Sequence, residues 1–508
     1  MIRKIKTSLF IALSVCMLTS CLDKYPQDEI PANRAITTID EANQAVIGIY
    51  NAWLSGALYS GYLTLLPDLQ ADLAYAVNGY TNTYGDIWRW DILATNSQIT
   101  SVYGALYDVI GRCNFLLHHV DKVRENIYTD EDFDRLEQYQ GEAYFARALA
   151  YSELIKLFCK AYDSDEEAAE ELGVVLRKEY YSEEPIVRAS LKDSYAFVIE
   201  DLKRAEDYLQ LSEEEEKDAS LTFYSSPYFS IYTVYALRAR VALYMKDYDN
   251  AITYSTLLID AKNRFALSSA SEVNETFNMT LYDYMWSYNL STESIWQVGF
   301  TETAYGGALG SVFFNFDGMS YKPDYVPAQW VLELYAPNDM RYNSFFYEMT
   351  TGHSHGLTWP LLLKYYGNPD YARLNMFHIC EPQVFRLSEQ YLIRAEAYAQ
   401  KGNYSNASKD ITELRKARYI SGYTTSLTEK NAMEVIEEER VKELYMEGFR
   451  LQDLKRWHKG FERKPQEQSL ANGSSLKVEA DNPLFVWPIP QHEIESPGAD
   501  IEPNESNK

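Results

Sequence analysis

The stretch ERVKELYMEGFR at residues 439–450, with DLKRW following at 453–457, says more about the fold than any other part of this chain. The side chains that define it are Glu443, Glu447, Arg450, Asp453 and Trp457. The four charged ones recur every three or four residues, which predicts one face of a single helix. Arginine–carboxylate pairs of this kind fix helices at defined angles, and the tryptophan would anchor the helix exit. We therefore predict that these residues are structural and do not bind a ligand.

Helical periodicity continues through much of the chain on the N-terminal side of this stretch. Apolar residues recur at intervals of three or four over 102–120, 133–158 and 191–211. Ser190 stands immediately before the third segment, where a serine side chain can cap the first turn. These segments predict three long amphipathic helices.

A weak internal repeat occurs twice in the helical part. Ala239 and Ala251 lie twelve residues apart, and Ala395 and Ala407 repeat this spacing, each pair with a tyrosine three residues before the second alanine. Small residues let two antiparallel helices approach closely, so both copies resemble tetratricopeptide helix pairs. An ordinary helical hairpin with alanines at the contact is the alternative. The copies are not in tandem, so other structure must interrupt them.

Two regions lack helical periodicity. Residues 54–100 and 265–385 are rich in glycine, asparagine and aromatic residues, which predicts long loops with short strands. The predicted fold class is therefore mainly α, with tetratricopeptide-like helix pairs and a large loop-rich, short-strand insertion region.

The chain begins like a secretory signal. A basic start is followed by an apolar run from Leu9 to Met17 and by LTSC at 18–21. A leucine three residues before Cys21 resembles the lipobox of bacterial lipoproteins, in which that cysteine takes lipid. An ordinary signal peptide with an incidental Cys21 is the alternative. The apolar run is shorter than the roughly 20 residues that span a bilayer. We predict that residues 1–20 are removed and that lipid on Cys21 anchors the body outside the cytoplasm.

Composition excludes some ligand classes. The net charge is −27, which argues against nucleic acid or anionic lipid as a ligand, because both need a basic face. Tyrosine is in excess, with 43 residues against 21 Phe and 9 Trp. Because a tyrosine pairs an apolar ring with a polar tip, this excess favours a large polar-aromatic binding surface.

No catalytic constellation stands out. The sequence has neither a glycine-rich phosphate loop after a strand nor a nucleophile elbow. His353 and His355 share a glycine-flanked loop without an obvious carboxylate partner, so we predict neither a metal nor a cofactor. A carboxylate pair for glycoside hydrolysis stays open, since the 74 acidic residues would hide one.

The aromatic loops are the best candidates for binding. Sugars offer a flat C–H face, on which tryptophan and tyrosine stack, and a rim of hydroxyls that Asp, Asn and Arg can bond. The candidate ligand residues with these properties are Asp68, Asp72, Tyr84, Trp88, Trp90, Asn96, Tyr305 and Trp330. The alternative is that these rings form small cores that pin the long loops.

Four segments together resemble a known family. The hallmark stretch, with residues 385–397, 335–341 and 484–490, is similar to the SusD/RagB family of outer-membrane lipoproteins. The resemblance implies a helical body with tetratricopeptide-like pairs and a role as a lid over a TonB-dependent outer-membrane transporter. The lid would capture glycan or, less often, peptide. The resemblance does not fix the ligand residues, because the binding loops of the family vary.

We therefore predict a non-enzymatic cell-surface lipoprotein that binds oligosaccharide or polysaccharide and delivers it to a TonB-dependent transporter. A peptide-binding member of the family, a surface glycoside hydrolase and a purely structural partner of the transporter stay open as alternatives. The predicted divisions are a signal peptide at 1–20, a tether at 21–37, a helical region at 38–264 containing the loop 54–100, a loop-rich ligand-side region at 265–385, and a C-terminal helical region with a wrapping tail at 386–508.

Overall fold

The computed structural model describes residues 35–508 except 182, 212–219, 223–226, 277, 317, 354, 355, 357 and 465–475. Within these residues it has 19 α-helices and only small strand pairs, which confirms the predicted fold class. The predicted signal peptide and Cys21 lie outside the described residues.

The helices differ widely in length, and the longest lie in the N-terminal part. In chain order they are α1 (Ile39–Trp53), α2 (Tyr62–Gln70), α3 (Gly85–Trp88), α4 (Ser97–Arg124), α5 (Asp130–Phe158), α6 (Asp165–Glu170), α7 (Leu191–Tyr208), α8 (Ile231–Tyr244), α9 (Tyr248–Asp260), α10 (Leu281–Tyr288), α11 (Ser311–Phe314), α12 (Gln329–Glu333), α13 (Arg341–Phe345), α14 (Pro369–Ala372), α15 (Leu387–Gln400), α16 (Tyr404–Arg418), α17 (Ala432–Glu443), α18 (Arg450–Arg456) and α19 (Gln491–Ile494).

The strands form antiparallel pairs, in the combinations β1–β7, β2–β3, β4–β5, β6–β10, β8–β9 and β11–β12. They are β1 (Ala74–Ala76), β2 (Leu172–Val175), β3 (Arg188–Ser190), β4 (Val273–Asn274), β5 (Met279–Thr280), β6 (Ser294–Gln297), β7 (Tyr325–Pro327), β8 (Phe346–Thr350), β9 (Thr358–Leu362), β10 (Gln383–Arg386), β11 (Phe461–Arg463) and β12 (Leu476–Val478). Because β1 pairs with β7, the loop 54–100 is joined to the loop-rich region.

The three predicted long helices are α4, α5 and α7. Each begins at a polar cap: Asn96 accepts bonds from the backbone of the first turn of α4, Thr129 caps α5, and Ser190 caps α7 as its sequence position predicts. The helix α5 packs against both α4 and α7, and its second half is buried almost continuously. These helices provide most of the largest apolar core.

The two copies of the internal repeat are the helix pairs α8–α9 and α15–α16. All four alanines, Ala239, Ala251, Ala395 and Ala407, are fully buried where the helices meet. The two tyrosines of the repeat begin the second helix of each pair. Since α9 also packs against α15, the copies are neighbours in space although they are far apart in the chain.

The hallmark stretch differs from the single helix that its spacing predicts. The helix α17 ends at Glu443, α18 begins at Arg450, and Glu447 lies in the turn between them. The backbone turns because Met446 and Gly448 adopt φ values of 59° and 83°, a left-handed conformation that cannot continue a helix. The four charged residues therefore do not share one helical face.

The C-terminal segment returns to the first third of the chain. Trp487 donates from its indole Nε1 to Gln70 Oε1 at 2.8 Å. The Asn504 amide donates to the backbone oxygen of Phe158, at the end of α5, at 2.9 Å. Among the described residues, no helix is both long and apolar enough to cross a membrane.

Candidate ligand-binding groove

Two of the predicted ligand residues instead bind the hallmark stretch. Asp68 is fully buried and accepts hydrogen bonds from the backbone N–H groups of Gly448 (2.9 Å) and Arg450 (2.8 Å). Burial raises the pKa of Asp68 to about 7. Asp72 holds the guanidinium of Arg450 through both carboxylate oxygens, at 2.9 and 3.0 Å. Both carboxylates are therefore occupied by the scaffold and lie away from solvent.

The three predicted tryptophans all donate their indole N–H to backbone oxygens. Trp88 bonds Ala74 at 3.1 Å, and Trp90 and Trp330 bond backbone oxygens at 2.6 and 2.8 Å. Trp88 is fully buried, with the Arg463 guanidinium 4.5 Å from its ring centroid. This burial leaves Trp88 no face on which a sugar could stack. The other two rings are half-buried.

The remaining predicted ligand residues have three different environments. Tyr84 packs edge-on against Tyr62 with 5.7 Å between ring centroids, and burial raises its pKa to about 12. Asn96 uses its side-chain oxygen to cap α4. Tyr305 is the one exposed member of the predicted set, at 44 %. The structure therefore does not gather these eight side chains into one site.

A different set of aromatic side chains lines an open groove of about 840 Å³ in the loop-rich region. We call it the aromatic groove, and it is lined by Ser311, Asn315, Phe316, Tyr321, Tyr366, Gly367, Pro369, Ala372, Arg373, Phe377 and His378. Phe316, Tyr366 and Phe377 are 54 %, 45 % and 60 % exposed. Exposed rings gathered in one concavity of this volume are typical of a ligand site.

A buried phenylalanine supports the rings of the aromatic groove. Phe314 is fully buried, and its ring lies 5.6 Å from Tyr321, 5.1 Å from Tyr366 and 5.0 Å from His378 between centroids. The two tyrosine hydroxyls share a hydrogen bond of 2.9 Å. Burial, followed by this hydrogen bond, raises the pKa of Tyr321 to about 12. Tyr321 is therefore neutral, and the hydrogen bond fixes the two rings relative to each other.

A glycine brings the two sides of the groove together. Gly367 has φ +115°, and a Cβ on it would lie 2.8 Å from the backbone nitrogen of His378. This close approach lets His378 Nδ1 bond the backbone oxygen of Tyr366 at 2.8 Å. Burial lowers the pKa of His378, so the imidazole is neutral and donates from Nδ1 to this carbonyl.

The hallmark stretch supports this groove from below. Lys364 is buried, and its ammonium bonds Glu447 at 2.6 Å and the backbone oxygen of Tyr445 at 2.9 Å. Lys364 lies two residues before Tyr366, in the turn that carries Tyr366 to the groove. The scaffold thereby fixes the position of one wall of the aromatic groove.

A larger buried ion cluster extends from the same stretch. Glu443 accepts hydrogen bonds from Arg386 (2.9 Å), Arg418 (2.9 and 3.0 Å) and Arg341 (3.1 Å). Glu293 also pairs with the first two of these arginines. The arginines hold the pKa of Glu443 well below its usual range despite the opposing effect of burial. The cluster is closed to solvent, so it joins segments and does not receive a ligand.

The remaining polar groups of the aromatic groove are few. They include Asn315 and Ser311, and Arg373, which is paired with Asp370 at 2.7 Å on the exposed surface. None of the described lining residues is Asp or Glu. The arrangement offers ring faces for stacking and a small number of polar groups for orientation, and it lacks a carboxylate pair among these residues.

Sequence reasoning found only part of this groove. Phe316 and Tyr321 belong to the aromatic-rich region that was predicted to face a ligand, but nothing in their neighbourhood separates them from the buried rings Phe313 and Phe314. Tyr366 and Phe377 lie in the same predicted region, 265–385, but no local feature of the sequence singles them out. The Gly367 turn was the one local feature that could have indicated a close approach there.

The sequence predicts no metal site, and in the loop that contains His353 and His355 the first histidine bonds the protein backbone. His353 Nε2 bonds the backbone oxygen of Pro323 at 2.8 Å, and His355 lies outside the described residues. In the part of the chain that the structure describes, no group of three or more His, Cys, Asp or Glu side chains could hold a metal ion.

Comparison with known proteins places the chain in a family. A model of the SusD family matches residues 357–499, and a related model described as "Starch-binding associating with outer membrane" matches residues 25–243. The chain belongs to the SusD/RagB family. Its relatives include SusD-like protein P38 of Formosa agariphila, which is 24% identical and aligns over 91% of this chain and 92% of that protein.

Solved structures of the SusD superfamily share the fold. A protein from Bacteroides thetaiotaomicron has a TM-score of 0.76 at 24% identity, covering 92% of this chain and 99% of its own. The surface glycan-binding protein A from Bacteroides uniformis has a TM-score of 0.70 at 20% identity, covering 93% and 100%. These likenesses show that both proteins share the overall fold of this chain.

Proposed function

We propose that this SusD/RagB protein binds oligosaccharide or polysaccharide at the cell surface and delivers it to a TonB-dependent outer-membrane transporter. The observation that carries the proposal is the aromatic groove, in which three exposed rings line a concavity of about 840 Å³. Relatives support the ligand class, because one family model is named for starch binding and one related structure for surface glycan binding.

The groove chemistry suits a sugar chain. The C–H face of a hexose stacks on an aromatic ring, while Asn315, Ser311 and Arg373 offer polar groups for the hydroxyl rim. The groove is open and shallow, so we expect affinities of roughly micromolar to millimolar, as usual for such limited burial. A lid that must release its cargo to a transporter needs no tighter binding.

The family and the lipobox-like segment before Cys21 support an anchor and a partner for this protein. Lipid on Cys21 would hold the body at the outer membrane, where a SusC-like transporter is the expected partner of a SusD-like protein. Cys21→Ala should release the folded body from the membrane, and fractionation of cells that lack the transporter measures this. A variant that stays membrane-bound in those cells would contradict the anchor.

The ligand class is tested by isothermal titration calorimetry of the purified protein against a panel of neutral glycans. Phe316→Ala combined with Phe377→Ala should weaken binding about tenfold or more, because each removes an exposed stacking face. Tyr128→Ala is the matched control, since Tyr128 is 88 % exposed and does not line the groove. Heat with peptides but with no glycan would move the ligand to the peptide class.

The same preparation separates binding from catalysis. A glycoside hydrolase would need two carboxyl groups flanking the bond, and none of the described lining residues is acidic. We therefore expect that glycans incubated with the purified protein are recovered intact by chromatography. Shortened products formed by the protein alone would replace the binding function with a hydrolase.

A further inference from the structure

One histidine joins three segments that are separate in the chain. His458 follows the end of α18, and its imidazole contacts a carboxylate at each ring nitrogen. Nδ1 lies 2.6 Å from Asp481 Oδ1, in the turn before the C-terminal segment 483–507. Nε2 lies 2.8 Å from Asp163 Oδ1, in the loop between α5 and α6. We call these three side chains the histidine clasp.

The geometry of the histidine clasp requires a charged imidazole. A carboxylate oxygen only accepts hydrogen bonds, so each ring nitrogen must donate one, and the imidazolium alone has two N–H donors. Hydrogen bonding to Asp163 first, against the opposing effect of partial burial, and then to Asp481 raises the pKa of His458. Below this pKa the clasp is therefore closed by two charge-assisted hydrogen bonds.

The backbone brings two of the three clasp residues together. His458 and Asp481 adopt φ values of 52° and 58°, a left-handed conformation that residues other than glycine adopt rarely. A Cβ on Gly460 would lie 2.2 Å from the backbone oxygen of Val478. The chain after α18 therefore runs directly against the chain before Asp481, and this contact places the imidazole beside the Asp481 carboxylate.

The two carboxylates of the clasp differ in their other partners. Asp163 also accepts a hydrogen bond from Lys246 Nζ at 2.5 Å, in the turn between α8 and α9. Against the raising effect of burial, hydrogen bonds from Lys246 and then His458 lower the pKa of Asp163. Asp481 makes no other ion pair with a residue that the structure describes. The Asp481 side of the clasp therefore depends on the imidazole, while the Asp163 side does not.

Other charged and titratable groups surround the clasp. Those that line the two cavities bordered by His458, apart from the clasp and Lys246, are Lys160, Glu167, Glu171, Tyr244, Tyr248, Glu396, Glu437, Lys455, Arg456, Lys459 and Glu505. Six of them form the ion pairs Lys160–Glu171, Arg456–Glu396 and Lys459–Glu437. Lys455 donates to two backbone oxygens, and burial lowers its pKa to about 7. Because Lys455 also titrates near neutral pH, only a readout specific for the histidine tests the clasp.

We propose that the histidine clasp is a pH-sensitive switch, which ties the start of the C-terminal segment to the loop after α5 when His458 is charged and releases Asp481 when it is neutral. A neutral imidazole has one donor and one acceptor nitrogen, and the acceptor would face the lone pairs of a carboxylate. This repulsion displaces Asp481, because Lys246 keeps Asp163 in place. The proposal uses no residue of the aromatic groove and does not rest on glycan binding.

The pH dependence of the clasp has a defined sign. The pKa of His458 in the folded chain lies above the value of about 6.5 for an unperturbed histidine. The stability that the clasp contributes is therefore complete below about pH 6.5 and is lost as the pH rises through the folded pKa. We expect the turn 479–482 to open more often above that pKa.

The test is a pH titration of the purified protein, followed by NMR of its ¹³C-labelled histidine rings, with His458 assigned from the spectrum of His458→Gln. The midpoint of His458 should lie above about 6.5. Asp481→Asn and Asp163→Asn should each lower it, because each removes one negative partner. Hydrogen exchange over residues 476–486, corrected for its intrinsic pH dependence, is the second readout. It should become several-fold faster above the midpoint and show no such step in His458→Gln.

Asp500→Asn is the matched control, since Asp500 is an exposed acid of the same C-terminal segment and lines neither cavity. It should leave the His458 midpoint and the exchange step unchanged, and circular dichroism checks that every variant is folded. The proposal is overturned by a midpoint at or below about 6.5 or by a midpoint insensitive to Asp481→Asn. An exchange step that is absent from the unmutated protein, or that persists in His458→Gln, overturns it as well.

Discussion

Gly448 shows how one residue determines the shape of the hallmark stretch. Its φ of +83° is left-handed, and a Cβ would lie 2.4 Å from the backbone oxygen of Leu63. Its N–H is at the same time donated to Asp68. A glycine is needed for two independent reasons, conformation and space, so the turn between α17 and α18 tolerates no side chain there.

We expect Gly448→Ala to lower the free energy of unfolding by about 2 to 4 kcal/mol, combining the left-handed conformation with overpacking. Chemical denaturation monitored by circular dichroism measures this. Gly402→Ala is the control, because Gly402 also has a positive φ (+72°) but nothing within 4 Å of its Cβ position. It should lose only about 1 to 2 kcal/mol. Equal losses of unfolding free energy in the two variants would show that the close approach to Leu63 does not require a glycine at position 448.

Three residues that the sequence predicts to bind a ligand are buried in the structure. Asp68, Asp72 and Trp88 have the composition of a sugar site, yet each is buried against the scaffold. A sequence shows residue types, but whether a polar group faces solvent or an arginine hundreds of residues away depends on tertiary contacts. Tyr366 and Phe377 were missed for the same reason, since exposure rather than identity distinguishes them.

The paired helices are the elements that the sequence predicts most directly. Alanine spacing and a tyrosine at the turn identified α8–α9 and α15–α16, because close helix contact demands small residues at fixed intervals. The hallmark stretch was predicted less well. Its charge spacing fits a single helix and two helices joined by a glycine turn equally well. Only the close approach of Gly448 to Leu63 distinguishes these two structures.

Ala407→Leu should destabilise the second helix pair by about 1 to 3 kcal/mol, because added methylene groups would force α15 and α16 apart. Ala407 is fully buried in a small core with Leu392, Ala395 and Ile411. Ser405→Leu is the control: it introduces a leucine two residues earlier, on the exposed side of α16, and should have little effect on stability. Thermal unfolding compares the two. If both variants melt alike, close packing at the alanines is not what stabilises the pair.

At the scale of the whole molecule, the ion cluster around Glu443 joins the loop-rich region to the C-terminal helices. Arg341 and Glu293 come from the loop-rich region, while Arg386 and Arg418 border α15 and end α16. The predicted regions 265–385 and 386–508 therefore share one buried ion cluster. We expect the two regions to unfold together.

Glu443→Gln should cost about 3 to 5 kcal/mol, because three buried guanidinium groups lose a charged partner. Glu462→Gln, which removes an exposed acid 3.8 Å from Lys464, should cost less than about 1 kcal/mol. Hydrogen exchange gives the spatial readout: protection should fall in both residues 293–365 and residues 386–456. A loss confined to one of these segments would contradict joint unfolding.

The C-terminal segment has a consequence for how the protein is made. The ribosome synthesises residues 483–507 after almost everything on which they pack, yet they supply Trp487 to Gln70 and Asn504 to the end of α5. Until they arrive, α5 lacks these partners and the first core is incomplete, so contacts between distant residues slow the last folding step. A premature stop in this short tail would therefore deliver an unfinished chain to cellular proteases, although every groove residue had already been translated.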